Sequence, residues 1–304
     1  MFKKILFSTT GTSLCDAAAR VAFDMANRYG AKLFIIHIFG IPDRSYSQAA
    51  IDIKTGEKVD LNSDHFQKVQ EEIKQTYSEQ IKHNKECEFE ILAGIPGTEI
   101  LRTARKKDID LIIMGARHSK KEKKSPQQKL IIGNTLQTVA RSARCPVLII
   151  GRTAASFWGG ISNILFGTDF SKASDSAFLF AYKLARTLKC TLNFFHVINI
   201  SEDSSGNVMD QNEIDDRIRD ARAKIREKYL SRMEEFEDYE IDVWEGIPYV
   251  EIVKYSREKF ADLIIMAHHS KKIDLEEANI GTTMEQIALR SNCPVISINH
   301  TDKI

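Results

Sequence analysis

Few residues in this sequence are placed to do covalent chemistry, and rather more are placed to hold an anion. Gly133-Asn134-Thr135 and Gly281-Thr282-Thr283 each stand where an apolar-periodic helix would begin. Such a start offers unpaired backbone N–H groups, a hydroxyl and the positive end of the helix dipole, which together suit a phosphate. Gly115 follows the apolar run Leu111-Ile112-Ile113-Met114, where the lack of a Cβ would let backbone N–H groups come close to an anion. Asp169 ends another apolar run; its carboxylate could accept hydrogen bonds from a ligand or cap the next helix near Ser171 and Ser174.

Catalysis has little behind it. There is no Gly-x-x-x-x-Gly-Lys-Ser/Thr, no Gly-x-Ser-x-Gly and no His-Glu-x-x-His, and no nucleophile has a base beside it. His268-His269 invites a metal reading, but adjacent residues rarely share one coordination sphere without further ligands, so no metal is expected. The five cysteines, Cys15, Cys87, Cys145, Cys190 and Cys293, form no Cys-x-x-Cys pair; they read as buried small hydrophobes or scattered thiols of a reducing compartment. The run Lys120-Lys121-Glu122-Lys123-Lys124 reads as a solvated loop rather than a polyphosphate or nucleic-acid site. A net charge of +1 also argues against a general nucleic-acid binder. No apolar stretch approaches the ~20 residues of a membrane span, and the apolar start stops at Ser8, too short for a signal segment. The expectation is a cytoplasmic protein.

The elements that would position these residues occur twice. Ile5-Leu6-Phe7-Ser8-Thr9-Thr10 aligns with Ile164-Leu165-Phe166-Gly167-Thr168-Asp169 at a shift of 159, which also places His37 on His196. Gly94-Ile95-Pro96 matches Gly246-Ile247-Pro248, and Asp110 to Met114 matches Asp262 to Met266, at a shift of 152. Ile132-Gly133-Asn134-Thr135 matches Ile280-Gly281-Thr282-Thr283, and Cys145-Pro146-Val147 matches Cys293-Pro294-Val295, at 148. Ordered identities at nearly constant shift mark a tandem repeat. The length of 304 residues suits two domains, expected at 1–152 and 162–304, with the join near residues 153–161.

Within the first copy, strands are expected at Lys4 to Thr9, Leu33 to Phe39, Cys87 to Leu92, Leu111 to Met114 and Pro146 to Ile150. Helices are expected at Ser13 to Tyr29, about His65 to His83, Thr98 to Lys106, and from about Thr135. In the second copy a charged helix is expected from Asp215 to Glu237. Leu-Ile-Ile-Met and Val-Leu-Ile-Ile are continuous apolar runs, as in strands buried on both faces, and strand–helix alternation implies parallel crossovers. The fold class is therefore α/β: two tandem doubly wound domains, each a five-stranded parallel sheet with helices on both faces. Ligands bind such sheets at the carboxyl ends of the strands. The final strands, Pro146 to Ile150 and Pro294 to Ile298, should pair across a pseudo-twofold axis, since an edge must be covered or paired. The result would be an intramolecular pseudo-dimer, with a further homodimer possible.

On these motifs the sequence resembles the universal stress protein family, over almost its whole length and twice. That family pattern has Asp ending the first strand, Gly-x-x-Gly after the fourth, about nine residues, then Gly-Ser/Thr opening the last helix. The resemblance implies an adenine-nucleotide α-hydrolase-like fold and binding of ATP or a related adenine nucleotide. It implies contacts at Thr168, Asp169, Val197, Met266, Ala267, Ser270, Gly281, Thr282 and Thr283, the copy expected to bind better. More weakly, it implies Thr10, Ile38, Met114, Gly115, His118, Gly133, Asn134 and Thr135 in the first copy. Both copies depart from the pattern. Thr10 replaces the Asp, His118 the second glycine, and Asn134 follows Gly133 in place of Ser or Thr; Ala267 and Ser270 replace both glycines in the second copy. An Ala at 267 costs little at negative φ and much at positive φ.

Two functions compete: a stress-response regulatory protein that binds adenine nucleotide, at most slowly hydrolysing it, and a protein-interaction module whose nucleotide sites have decayed. A third, a nucleotidyl transferase or ligase, would need a His-x-x-His or Ser-Gly-Gly phosphate motif, and neither is found.

Overall fold

A computed structural model describes residues 2–40, 49–51, 58–60, 63–84, 86–116, 134–151, 160–200, 209–268 and 283–299. The first half runs β1 (Lys4–Ser8), α1 (Asp16–Tyr29), β2 (Lys32–Gly40), a short hairpin β3 (Ala49–Ile51) and β4 (Lys58–Asp60), then α2 (Ser63–Thr76), α3 (Ser78–Lys82), β5 (Cys87–Gly94), α4 (Pro96–Lys107), β6 (Leu111–Gly115), α5 (Asn134–Ser142) and β7 (Val147–Ile150). The second half runs β8 (Asn163–Gly167), α6 (Lys172–Leu188), β9 (Thr191–Asn199), α7 (Gln211–Lys228), β10 (Tyr239–Gly246), α8 (Pro248–Glu258), β11 (Leu263–Ala267), α9 (Thr283–Arg290) and β12 (Val295–Ile298).

Each half is a parallel sheet in which the first strand lies centrally, with orders β5-β2-β1-β6-β7 and β10-β9-β8-β11-β12. The expected five strands per copy are present. The first half adds the β3–β4 hairpin, which meets β2 antiparallel at Gly40 and Ile51. The halves join through their last strands: β12 pairs antiparallel with β7, Val295 opposite Ile149 and Ser297 opposite Val147. This is the pairing expected from edge protection, and it makes one sheet of twelve strands among the described residues.

Alternation along each strand divides the core between the two faces. On β1, Ile5 and Phe7 face α1, α2 and α3, and Leu6 faces α4 and α5; all three are fully buried. In the second half α6 and α7 cover the first of these faces, and α8 and α9 the second. Both faces continue across the seam. Phe2 lies against Phe180 with ring centroids 6.4 Å apart, and the Asn299 side chain donates to the Ala140 carbonyl at 2.6 Å.

Three expected elements differ in detail. The helix expected from His65 to His83 is two, because Tyr77 adopts a non-helical turn between α2 and α3. The helix expected from Thr98 begins at Pro96, whose missing N–H and fixed φ suit a first helical position. The charged helix begins at Gln211, capped by Asp210 accepting from Glu213 N–H at 2.9 Å, and ends at Lys228, after which Leu230–Arg232 forms a single tight turn. No helix of the described residues is long and apolar enough to cross a membrane.

Candidate functional site

In the first half the carboxyl ends of β1, β2 and β6 meet the start of α5 around a cavity of about 220 Å³. Five of the eight residues expected there line it: Thr10, Ile38, Met114, Gly115 and Thr135. Asn134 opens α5 beside them, and His118 and Gly133 lie outside the described residues. The sequence did not single out Ser8, Leu14, Cys15 or Pro96, which complete the wall with Thr9 and Leu136. The described lining is neutral: hydroxyls of Ser8, Thr9, Thr10 and Thr135 stand among apolar side chains. Gly115 has no left-handed φ, and a Cβ there would meet Leu14 O at 3.5 Å, an ordinary contact. Its counterpart Ala267 likewise has no positive φ, so the Gly-to-Ala difference between copies carries no backbone strain.

In the second half Thr168, Asp169, Val197, Met266, Ala267 and Thr283 stand at the corresponding strand and helix ends, and Ser270, Gly281 and Thr282 lie outside the described residues. Met266 lies over Gly167, where a Cβ would be 3.1 Å from its Cγ; the first half has Ser8 at that place, on the cavity wall. Asp169 is exposed. Its Oδ1 accepts from Ser171 N–H at 2.9 Å and from the Ser174 hydroxyl at 2.5 Å, so it organises the start of α6, whose cap is Ser171. In the first half Thr10 and Cys15 replace this Asp–Ser pair, with Oγ1 and Sγ 3.4 Å apart.

Beneath both sites lies a polar network that repeats closely. The Thr9 hydroxyl is 2.6 Å from the Tyr77 hydroxyl and accepts from Gly11 N–H at 3.0 Å; the His37 Nδ1–H donates to the Thr9 carbonyl at 3.0 Å. In the second half Thr168 lies 2.7 Å from Tyr229 and accepts from Phe170 N–H at 3.0 Å, and His196 Nδ1–H donates to its carbonyl at 2.8 Å. A carbonyl only accepts, so each imidazole carries its proton on Nδ1. Burial pushes both tyrosine hydroxyls up to about 12, against the pull of the threonine bonds. Burial also holds His196 below its ordinary value, although the bond to Thr168 acts in the opposite sense. The two histidines, aligned by the 159-residue shift, thus make the same local bond. The tyrosines were missed, although Tyr77 and Tyr229 repeat at the 152-residue shift of the Gly-Ile-Pro motif.

The Gly-Ile-Pro motif itself has a steric cause. Gly94 and Gly246 have φ of 156° and 139°, and a Cβ at either would lie 2.8 or 2.7 Å from Cγ of Glu99 or Glu251 in the next helix. Among the described residues no three His, Cys, Asp or Glu side chains come together to hold a metal ion.

Known proteins carry the same architecture. Two universal stress proteins of Methanocaldococcus jannaschii are 25% identical over 151 residues and 30% over 152, covering 49% and 44% of this chain and 82% and 93% of their own. The crystal structure of a universal stress protein from Archaeoglobus fulgidus matches 99% of this chain and 97% of its own at 20% identity, with a TM-score of 0.69. A structure from Pseudomonas aeruginosa described as a putative universal stress protein matches 99% of this chain and 95% of its own at 18% identity, with a TM-score of 0.59. The profile of the universal stress protein family matches residues 1–151 and again 160–299, and with both halves matched the chain belongs to that family.

Proposed function

We propose that this chain is a stress-response regulatory protein that binds an adenine nucleotide at the carboxyl ends of its strands, and that it is not a catalyst. The observation that carries the reading is the first-half cavity, which gathers five residues that the family pattern assigns to nucleotide contact. In it the apolar side chains of Ile38 and Met114 would take the purine, the Thr10 and Thr135 hydroxyls would bond the sugar and phosphates, and the N-terminus of α5 would favour the anion. Among the described residues of the cavity none resembles a general base or a metal-binding carboxylate pair, and the reading is of binding without fast turnover.

A second placement has its own support. Asp169 keeps the family's acidic residue, and Gly281-Thr282-Thr283 keeps its helix start, so the sequence favours the second half whereas the cavity favours the first. Calorimetric titration of ATP into protein freed of small molecules, with Gly115→Val and Asp169→Ala variants, separates them. A loss of about tenfold or more (~1.4 kcal/mol) on filling the cavity with Val, with Asp169→Ala unchanged, supports the first half. The reverse supports the second. No titration heat with any adenine nucleotide refutes nucleotide binding and leaves the interaction module with decayed sites.

A further inference from the structure

The two halves enter their first long helices by different turns. In the second half Ser171 caps α6, its hydroxyl accepting from Ser174 N–H at 3.2 Å, and the helix is regular from Lys172. In the first half Thr12 makes no such cap bond. Its hydroxyl lies 2.8 Å from Thr10 Oγ1 instead, and Cys15 N–H bonds to the Thr12 carbonyl at 2.9 Å. That closure winds Ser13–Cys15 into one tight turn, and α1 starts only at Asp16. The turn lies against the end of β6, where a Cβ on Gly115 would be 3.5 Å from the Leu14 carbonyl.

The tight turn puts Leu14 on the wall of the 220 Å³ cavity. Its side chain is 42% exposed, and of the large hydrophobics exposed among the described residues it is the one that lines this cavity. Apolar surface left in water at the mouth of a pocket gains on being covered, so a ligand that fills the cavity is rewarded there. At the 159-residue shift the second half has Ala173, inside the first turn of α6, which offers one methyl group in place of a leucine side chain.

We infer that Leu14 sets the affinity of the first-half site, its side chain covering the base of the nucleotide, on the placement proposed above for that half. Leu14 brings no polar side-chain atom, so it serves the apolar purine and not the phosphates, which the start of α5 at Thr135 takes. The first half thus holds the base by apolar cover that Ala173 does not supply in the second.

Calorimetric titration of ATP and of AMP into the full chain freed of small molecules, as wild type, Leu14→Ala and Leu14→Met, tests this. Leu14→Ala installs the second half's residue at the matching place and removes an exposed side chain, so its thermal midpoint without ligand should equal that of the wild type. Its affinity for ATP should fall about fivefold (~1 kcal/mol), the share of a leucine's burial that the ligand completes. Affinity for AMP should fall by the same factor, because the two share the base. Leu14→Met keeps the apolar reach and should bind as the wild type does. Leu14→Ala binding as tightly as the wild type, a loss for ATP alone, Leu14→Met as weak as Leu14→Ala, or a lower midpoint without ligand would each overturn the role of Leu14 and leave nucleotide binding standing. A wild type that takes up neither nucleotide refutes nucleotide binding and this role together.

Discussion

The Thr168–Tyr229 pair allows a test in which a second substitution should rescue a first. Tyr229 is fully buried, and its hydroxyl lies 2.7 Å from Thr168 Oγ1, which also accepts Phe170 N–H at 3.0 Å. Tyr229→Phe removes one partner and leaves the threonine hydroxyl bonded to Phe170 N–H; the expected loss is that of one ordinary hydrogen bond, about 1 kcal/mol. Thr168→Val is nearly the same shape but orphans two groups at once. The Tyr229 hydroxyl stays buried with no partner, and Phe170 N–H loses its acceptor. At about 1–3 kcal/mol for a buried orphan and less for the half-buried N–H, the expected loss is about 2–4 kcal/mol.

The double variant removes the orphaned tyrosine hydroxyl together with its cause. It should therefore be more stable than Thr168→Val alone by about 1 kcal/mol or more, although it carries one more substitution. Urea unfolding followed by circular dichroism measures all four corners of the cycle, and Thr9→Val with Tyr77→Phe repeats it in the first half. If the two losses simply add, the hydroxyls are not energetically coupled and this reasoning is wrong.

Two further outcomes follow from the same geometry. Gly246→Ala should destabilise the chain by more than about 1 kcal/mol, because φ is 139° and the new Cβ would sit 2.7 Å from Glu251 Cγ; Glu251→Ala in the same chain should recover part of the loss, and urea midpoints of the two variants decide it. Stability should also fall on the alkaline side. Tyr77 and Tyr229 are raised from 10.0 to about 12 by burial, so their contribution is complete below about pH 10 and is lost as pH rises through 12. Midpoints at pH 9 and above 11 should differ less in the Tyr77→Phe/Tyr229→Phe chain than in the wild type.

The fold was legible because its signals are redundant. The continuous apolar runs at Leu111–Met114 and Leu263–Met266 marked strands buried on both faces, and the repeat let each copy check the other. The need to cover the edge strand of each copy already implies the β7–β12 seam. What was lost belongs to single residues with no periodic signature. Tyr77 continues an apolar helical face yet stands at the break of the helix, with its hydroxyl against Thr9. The β3–β4 hairpin lay inside a polar excursion with no alternation to read. At the site, Ile38 and Met114 follow from strand ends, whereas Cys15 and Leu14 reach the cavity through a tight turn before α1 whose path no sequence rule specifies.

The two copies show which parts of such a site can drift. The threonine, tyrosine and histidine beneath these strand ends recur in both halves, where each is buried or, for His196, part-buried, and losing any one orphans a partner. The layer above differs at one pair and at one single position. Where the second half has Asp169 bonded to Ser174, the first has Thr10 beside Cys15, and where the second sets Met266 over Gly167, the first has Ser8 on an open wall. The exchange of Asp169 and Ser174 for Thr10 and Cys15 keeps these polar groups beside one another while the charge differs. Among the described residues, the second half thus sets a carboxylate, and a side chain over Gly167, where the first has hydroxyls and an open wall, on one scaffold and one supporting network.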